Sequence, residues 1–336
     1  MMDDPVVRKE NVPDKPRPMQ TRGNRTLALW KFLLRTLAVL LPATLAAQVN
    51  YAISADGLSA YVDRSGAATG AITIQSTYQG RTVTRIGEYA FSGCTSLTSV
   101  AISPGVISIG DGAFRDCSRL TSVTNPPSVA TIGERAFEQC YNLSNVTIPP
   151  GVTNIGDFAF SRCSSLSKVT IPPSVTSIMP YAFSRCSSLT NVTIPPSVTS
   201  IMLGAFSECF RLTNVTIPPG VTSIGDFAFS RCSSLSKVTS PSSVTAIGKA
   251  AFSSCYGLTN VTILTGAINI GEGTFGDCFR LTSVTITSGV LIPSGVARIG
   301  DLAFSGCRSL SSVTLPAIAT SIGREAFYGC AHLTGA

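Results

Sequence analysis

IGDFAFSRCSSLSKVTIPPSVTS, residues 155–177, is the stretch that decides the fold, because related stretches recur every 23 residues along the chain. Each copy contains Phe-x-x-Cys-x-x-Leu followed by Val and Ile at alternate positions. A period of 20 to 29 residues with Leu-x-x-Val-x-Ile inside it is typical of a leucine-rich solenoid. The phenylalanine marks eleven copies: Phe91, Phe114, Phe137, Phe160, Phe183, Phe206, Phe229, Phe252, Phe275, Phe304 and Phe327.

Each copy predicts one coil of a superhelix. Leu97, Val100 and Ile102 have the alternation of a short strand, and the proline that follows most such strands ends the hydrogen-bonding ladder. The glycine after the returning isoleucine predicts a tight bend at positive φ. The acidic residue that often follows it predicts a cap on a short helix or 3₁₀ turn carrying Ala-Phe-x-x-Cys. We therefore expect an α/β solenoid of about eleven 23-residue coils, with a parallel sheet on the concave face and short helical or 3₁₀ turns on the convex face.

The apolar positions of each coil are expected to point inward. One coil cannot bury this set by itself, but stacked coils bury it as a continuous core. The positions that represent this core are Phe114, Cys117, Leu120, Phe160, Cys163, Leu166, Phe229, Cys232 and Leu235.

The motif Ile-Gly-x-x-Ala-Phe-x-x-Cys-x-x-Leu resembles that of the BspA-like leucine-rich repeat proteins, which are secreted or surface proteins with 23-residue repeats. The resemblance covers residues 86–333. It implies a right-handed solenoid, secretion, and a binding or adhesive role. It implies no enzyme activity and supplies no catalytic residues.

The first 47 residues differ from the rest. Residues 1–25 are polar and without periodicity, and residues 26–47 place Lys31 and Arg35 before a run of about ten apolar residues and then small residues, which is typical of a signal peptide. Cleavage is expected after Ala46 or Ala47. An uncleaved signal anchor is the alternative, and it would be the only contact with a membrane. Translation could start at Met1 or at Met19. A start at Met19 would give a signal peptide of conventional length.

The remaining chain divides into a β-rich N-terminal cap, residues 48–83, and the solenoid, residues 84–336, whose last repeat is incomplete. The strand of the previous coil, around residues 310–315, is then expected to be an open edge. A truncated gene product, a frayed terminus and end-to-end self-association are the three interpretations of this edge.

The charge pattern does not indicate nucleic-acid binding. Eight of the 25 basic residues and four of the 18 acidic residues lie in residues 1–47, so the remainder has a net charge of only +3.

The eleven cysteines occupy one position of the repeat, so we expect free, buried thiols. Equivalent side chains on stacked coils run parallel, which is poor geometry for disulfides. Metal or cofactor binding is not expected, because His332 is the single histidine. The serines lack a histidine to activate them, so no enzyme activity is expected.

Two polar ladders are predicted on the concave face, at strand positions that point outward. They carry no aromatic residue, which favours weak, multivalent binding of proteins or surface glycans over a single tight epitope. The alternatives are a merely soluble threonine-rich surface and ice binding by a threonine array. The candidate residues are Asn145, Thr147, Lys168, Thr170, Asn191, Thr193, Asn214, Thr216, Lys237, Thr239, Asn260 and Thr262.

These observations predict a secreted or cell-surface scaffold for protein–protein interaction or adhesion through the concave β-face. A structural component of an extracellular matrix or envelope, without a specific ligand, is the alternative. Residues 145–170 and 214–239 are copies of each other, because the two stretches differ at a single position, where the first has Asn154 and the second has Ser223. Such recent duplication leaves little information about the ligand.

Overall fold

A computed structural model describes residues 49–265, 268–288, 297–315 and 319–334. These residues belong to one compact unit, residues 47–336. The predicted leader and signal peptide lie outside the described residues. The spacing from Cys278 to Cys307 is 29 residues instead of 23, which predicts a six-residue insertion near residues 287–294, and most of this insertion also lies outside them.

The first strands of the described chain are short and polar on one side. β1 pairs with β2 in antiparallel fashion, and β4 pairs with β5 in the same way. These five strands are β1 (Tyr51–Ile53), β2 (Ala60–Val62), β3 (Gly70–Ile74), β4 (Thr77–Tyr78) and β5 (Arg81–Ile86).

Two strands per coil then alternate along the chain. They are β6 (Leu97–Ile102), β7 (Ser108–Ile109), β8 (Ser122–Thr124), β9 (Thr131–Ile132), β10 (Asn145–Val146), β11 (Asn154–Ile155), β12 (Lys168–Thr170), β13 (Ser177–Ile178), β14 (Asn191–Thr193), β15 (Ser200–Ile201), β16 (Asn214–Val215), β17 (Ser223–Ile224), β18 (Lys237–Ser240), β19 (Ala246–Ile247), β20 (Asn260–Thr265), β21 (Ile268–Ile270), β22 (Ser283–Ser288), β23 (Ala297–Ile299), β24 (Ser312–Thr314) and β25 (Ala319–Ile322).

The strands form a parallel solenoid of about eleven turns with two sheets. The front sheet contains β3 and the even-numbered strands from β6 to β24. The back sheet contains β1, β2, β5 and the odd-numbered strands from β7 to β25, with β4 paired to β5. Both sheets are interrupted at the same step, between β10 and β12 in front and between β11 and β13 behind. Coil stacking begins inside the predicted cap, because β2 pairs with β5 in the back sheet and β3 pairs with β6 in the front sheet, both in parallel.

The back sheet was not predicted. Its strands are only two to four residues long in the repeats, and each ends at the isoleucine that precedes the glycine or, in β13 and β15, a methionine. Ile109, Ile132 and Ile155, for example, are 1% exposed. A pair such as Ser-Ile is too short to show an alternating pattern in the sequence, and only stacking on the neighbouring coil makes it a strand.

The predicted helical turns on the convex face are wrong, because the described residues contain no helix. The Ala-Phe-x-x-Cys segments, which form the turn face, alternate between two kinds of backbone hydrogen bond. The N–H of Phe160 donates to the carbonyl of Ala182 in the next coil, whereas the N–H of Ser161 donates to the carbonyl of Phe158 in its own turn. Phe158 and Arg162 have φ values of 56° and 62°. A right-handed helix cannot include such residues, so each segment becomes a chain of turns bonded to the next coil. No helix capable of crossing a membrane occurs in the part of the chain that the structure describes.

The glycine after the isoleucine has a different role from the predicted one. Positive φ occurs two residues later, as at Tyr89 and Phe158, and not at this glycine. At Gly156, a Cβ would lie 2.5 Å from the N of Glu134 and 2.6 Å from the C of Gly133. The preceding coil therefore lies too close to Gly156 for a side chain there, whereas the next two coils carry Met179 and Met202 at the equivalent position.

The acidic residue after the glycine does not cap a helix either. The Oδ1 of Asp226 accepts a hydrogen bond from the N–H of Lys249 in the next coil at 2.7 Å. Asp111 and Asp301 make the same contact at 2.8 Å. These carboxylates therefore cap the connection between coils.

The core is a set of ladders that run through the solenoid. The eleven repeat phenylalanines stack in series, with centroid separations of 5.2 to 5.5 Å. Offset stacking of this kind adds to the stability that burial gives. The representative core residues named from the sequence are all 0% exposed: Phe114, Cys117, Leu120, Phe160, Cys163, Leu166, Phe229, Cys232 and Leu235.

Candidate binding surfaces

The front sheet brings the predicted polar positions into register. Lys168 lies opposite Asn191, Asn191 opposite Asn214, Asn214 opposite Lys237, and Lys237 opposite Asn260. The threonine positions are aligned in the same way, as Thr239 with Thr262 shows. All twelve candidate residues are exposed except Thr262, which is half-buried. The structure thus forms two polar ladders, broken where β10 does not pair with β12.

Hydrogen bonds orient the asparagine side chains of the ladder that contains Asn191, Asn214 and Asn260. The Nδ2 of Asn191 donates to the hydroxyl of Thr190, which in turn donates to the carbonyl of Ser167 in the previous coil. Asn214 and Asn260 repeat the arrangement with their own preceding threonines. Because the amide nitrogen is held, the side chain loses less conformational entropy when a partner binds to it.

Two shallow grooves open on the front sheet where an asparagine coil precedes a lysine coil. The first lies at the interruption of the sheet, between Asn145 and Lys168, and has a volume of about 440 Å³. The second lies between Asn214 and Lys237 and has a volume of about 420 Å³. Here β16 and β18 share only the Asn214–Lys237 pair, whereas β18 and β20 pair over four residues. The grooves occupy equivalent positions in the two copies of residues 145–170.

The front sheet has a simple charge distribution. Its strands contain no acidic residue, and Lys168 and Lys237 are the charged residues of the repeat strands. Each lysine lies at one of the two grooves. The front sheet is therefore weakly positive at two sites that are three coils apart.

The aromatic surface of the protein is on the turn face, where sequence reasoning did not look for it. Phe158 stacks on Tyr181 at 4.8 Å, and the guanidinium of Arg135 lies 4.8 Å from the Phe158 ring. A second group contains Tyr256 and Phe279, stacked at 5.2 Å. These four aromatic residues lie at two variable positions of the repeat, either two positions before the repeat phenylalanine or one position after the cysteine. Aligning the eleven copies and reading these variable positions would have found them.

The cysteines form an inert ladder in the core. All eleven are free, and all are buried except Cys330, which is half-buried. From Cys117 onward each Sγ donates to the carbonyl of the phenylalanine in the preceding coil, as Cys186 does to Phe160 at 3.2 Å, whereas Cys94 donates to the carbonyl of Ser65. Burial raises the pKa of the Cys186 thiol to about 12. Since the thiolate is the reactive form, these thiols are poor nucleophiles in the native protein.

Other chemically active groups are dispersed. The described residues contain no group of three or more His, Cys, Asp or Glu side chains arranged to hold a metal ion. His332 is exposed, and its Nδ1 lies 2.8 Å from the carbonyl oxygen of Arg308. The geometry therefore presents surfaces for binding more clearly than a reaction centre.

Known proteins share this architecture. The family model described as the BspA type leucine rich repeat region matches residues 69–190, 176–292 and 288–335. The chain is similar to a leucine-rich repeat protein from Bacteroides ovatus ATCC 8483, with 29% identity and a TM-score of 0.65 over 85% of this chain and 80% of that one. It is also similar to a leucine rich cell surface protein from Faecalibacterium prausnitzii A2-165, with 30% identity and a TM-score of 0.54 over 85% of this chain and 93% of that one.

No curated protein matches the chain significantly. The family match nevertheless covers most of the sequence and extends from β3 to the last turn segment. The chain belongs to the BspA-type leucine-rich repeat family.

Proposed function

We propose that the protein is exported and acts outside the cell as an interaction or adhesion scaffold, which binds proteins or surface glycans through the front sheet. The observation that carries this proposal is the pair of equivalent grooves at Lys168 and Lys237, set in a ladder of oriented asparagines. The similarity to a cell surface protein of Faecalibacterium prausnitzii supports the location. We further propose that the solenoid is right-handed and that the front sheet is its concave side.

The grooves favour weak contacts that act together. Each is shallow and lined by polar residues, prolines and aliphatic residues such as Ile148 and Ile217, without an aromatic anchor of the kind that dominates tight interfaces. A partner with repeated epitopes could occupy both grooves, because linked contacts raise the effective concentration of the second contact. Adhesion to a repetitive or dense surface follows from this arrangement better than capture of one soluble ligand.

Binding of the purified protein to a panel of immobilised extracellular-matrix proteins tests whether the front sheet is the binding surface. The double variant Thr170→Glu, Thr239→Glu adds two negative charges to the front sheet. The double variant Thr176→Glu, Thr245→Glu adds the same charges at exposed positions beside the back sheet, again 69 residues apart. We expect saturable binding that the front-sheet variant weakens and the back-sheet variant leaves unchanged. Equal loss in both variants would contradict a front-sheet site.

The structural alternative predicts a different result. A component of an extracellular matrix or envelope without a specific ligand would show no saturable binding to any member of the panel, and neither variant would change its retention. Saturation therefore separates the two functions. We expect no enzyme activity under either function.

Export has its own test. The charged and apolar residues 26–47 support cleavage after Ala46 or Ala47. N-terminal sequencing of the protein recovered outside the cell should begin at residue 47 or 48. A recovered chain that still contains Trp30 would contradict cleavage and favour the signal anchor.

A further inference from the structure

Two phenylalanines with the same local sequence have different surroundings. Phe158 and Phe227 lie in the duplicated stretches 145–170 and 214–239, so their own coils are nearly identical. Phe158 is half-buried between Arg135 and Tyr181. Phe227 is 38% exposed. The neighbouring coils cause the difference, because glycine and alanine stand beside Phe227 where Arg135 and Tyr181 stand beside Phe158.

A pocket lies beside the exposed ring. It has a volume of about 420 Å³, and Tyr181 and Phe227 contribute its two aromatic side chains. The coil between them has Gly204, where a Cβ would lie only 2.3 Å from the Tyr181 ring. The glycine therefore lets the Tyr181 ring lie over this coil, and the stack with Phe158 supports its other face. This arrangement holds an aromatic wall in place before any ligand binds.

A second pocket adjoins the first. It has a volume of about 480 Å³, with Tyr141 and Phe210 as its aromatic residues and Ser164 and Ser187 on the coils between them. Glu208 lines both pockets. Together the two pockets form the turn-face cleft.

Polar groups line the cleft between its aromatic walls. Glu208 accepts a hydrogen bond from Arg185 at 3.1 Å, and its carboxylate has further lone pairs for ligand hydroxyls. Half-buried Ser230, Ser253 and Ser254 line the first pocket. Alternating hydroxyls and aromatic rings suit a ligand that has both apolar ring faces and many hydroxyl groups.

The charge of the cleft favours anionic ligands among those that have both ring faces and hydroxyl groups. Arg231 lies in the first pocket and Arg162 in the second, and both are exposed. Within the described residues, the salt bridges pair neither of them with a carboxylate. Arginine binds carboxylates through two parallel hydrogen bonds. Each pocket thus combines aromatic rings with one guanidinium available for an anionic group.

We propose that the turn-face cleft binds an acidic oligosaccharide, with sugar rings against Tyr181, Phe227, Tyr141 and Phe210 and sugar carboxylates on Arg231 and Arg162. This site is separate from the front sheet. It supplies the stacking rings that the front sheet lacks.

Calorimetric titration of the full chain with a hexasaccharide of uronic acid tests the proposal. The same hexasaccharide with its carboxyls reduced to alcohols should bind about tenfold more weakly, as expected when a charge-assisted contact is lost. Phe227→Ala should weaken binding of both saccharides by about tenfold or more through loss of stacking. Arg231→Gln should weaken binding of the acidic saccharide and leave the reduced one unchanged.

Matched controls lie elsewhere on the turn face. Phe279 is also 38% exposed but lies outside the cleft, so Phe279→Ala should leave affinity unchanged. Arg280→Gln is the matched control for Arg231→Gln, and it should leave the affinity for the acidic saccharide unchanged. The front-sheet variant Thr170→Glu, Thr239→Glu should also bind the saccharide normally, which separates this proposal from the function of the front sheet.

Three outcomes would overturn the proposal. The acidic hexasaccharide could fail to bind, or Phe279→Ala could weaken it as much as Phe227→Ala does. A tyrosine-containing acidic peptide of equal charge could bind more tightly than the saccharide with the same dependence on Phe227, which would assign the cleft to a protein partner. Circular dichroism of each variant establishes that the fold is retained.

Discussion

The thiol of Cys163 donates a hydrogen bond to the carbonyl oxygen of Phe137 in the preceding coil, with an Sγ–O distance of 3.2 Å. This contact repeats along the solenoid, so each cysteine is both a core side chain and a donor to the neighbouring coil. Its carbonyl acceptor belongs to the residue whose ring forms the phenylalanine stack. The two ladders of the core are therefore bonded to each other at every step.

Cys163→Ser should lower the free energy of unfolding by about 1–3 kcal/mol, because a hydroxyl is costlier to bury than a thiol and reaches the carbonyl less well. Urea denaturation followed by circular dichroism measures the change. Cys330→Ser is the control, since Cys330 is half-buried and its replacement should cost less. An equal cost at the two positions would show that burial does not determine the effect.

Stability should fall at alkaline pH. Burial raises the pKa of Cys186 to about 12 and that of Cys232 to about 12, from an ordinary value of 9.0. The folded protein therefore retains thiol protons that the unfolded chain releases. This contribution is fully present below about pH 9 and is lost as the pH rises towards 12. The urea midpoint should drop between about pH 9 and about pH 12.

The double variant Cys186→Ala, Cys232→Ala should make that midpoint less sensitive to pH, because it removes two of the groups that titrate. Every other side chain is the same in the variant and the parent, so the comparison isolates the thiols. The same pH dependence in the variant and the parent would contradict the thiol explanation.

Gly156→Ala should destabilise the protein by about 1–3 kcal/mol, because a Cβ there overlaps the backbone of the preceding coil. Gly66→Ala is the matched control: a Cβ at Gly66 meets nothing within 4 Å. Its effect on the free energy of unfolding should stay within about 0.5 kcal/mol. Thermal and urea unfolding both measure the difference, and similar losses would show that the coils can separate to admit a methyl group.

Asp226→Ala and Asp157→Ala form a comparison that the duplication provides. Asp226 accepts a hydrogen bond from the N–H of Lys249, whereas the equivalent position after Asp157 is Pro180, which has no N–H. The first substitution should cost about 1 kcal/mol of unfolding free energy and the second clearly less. If the two variants lose equal stability, the contact with the next coil does not explain the role of the aspartate.

The period of 23 residues was sufficient to predict the number of coils, the inward positions and the front strands, because each depends on apolar spacing. The back sheet and the turns depend on contacts between coils. The N–H of Phe160 bonds to a residue 22 positions later, and no local pattern reveals that partner. Residues such as Arg162 also occupy the left-handed region although their side chains give no sign of it in the sequence.

The candidate surfaces were predictable to different degrees. Strand alternation was enough to identify Asn191 and Thr193 as outward-facing ladder positions. The groove at Lys168 was not predictable, because it arises where two strands diverge despite unchanged sequence spacing. The exposed ring of Phe227 depends on which residues the adjacent coils place beside it, and a repeat examined by itself contains no such information.

Each coil is bonded to its neighbours through the front sheet, the back sheet and the turn face, except at the step where both sheets are interrupted and the turn face carries the bonds, and nearly all of these bonds run along the stack. A pulling force applied along the stack would therefore act on the bonds of one coil boundary at a time. Each release would free one 23-residue coil, which extends to about 80 Å when stretched. A solenoid under such a load would lengthen in regular steps while the remaining coils stay folded, so it would yield under tension without losing its whole structure at once.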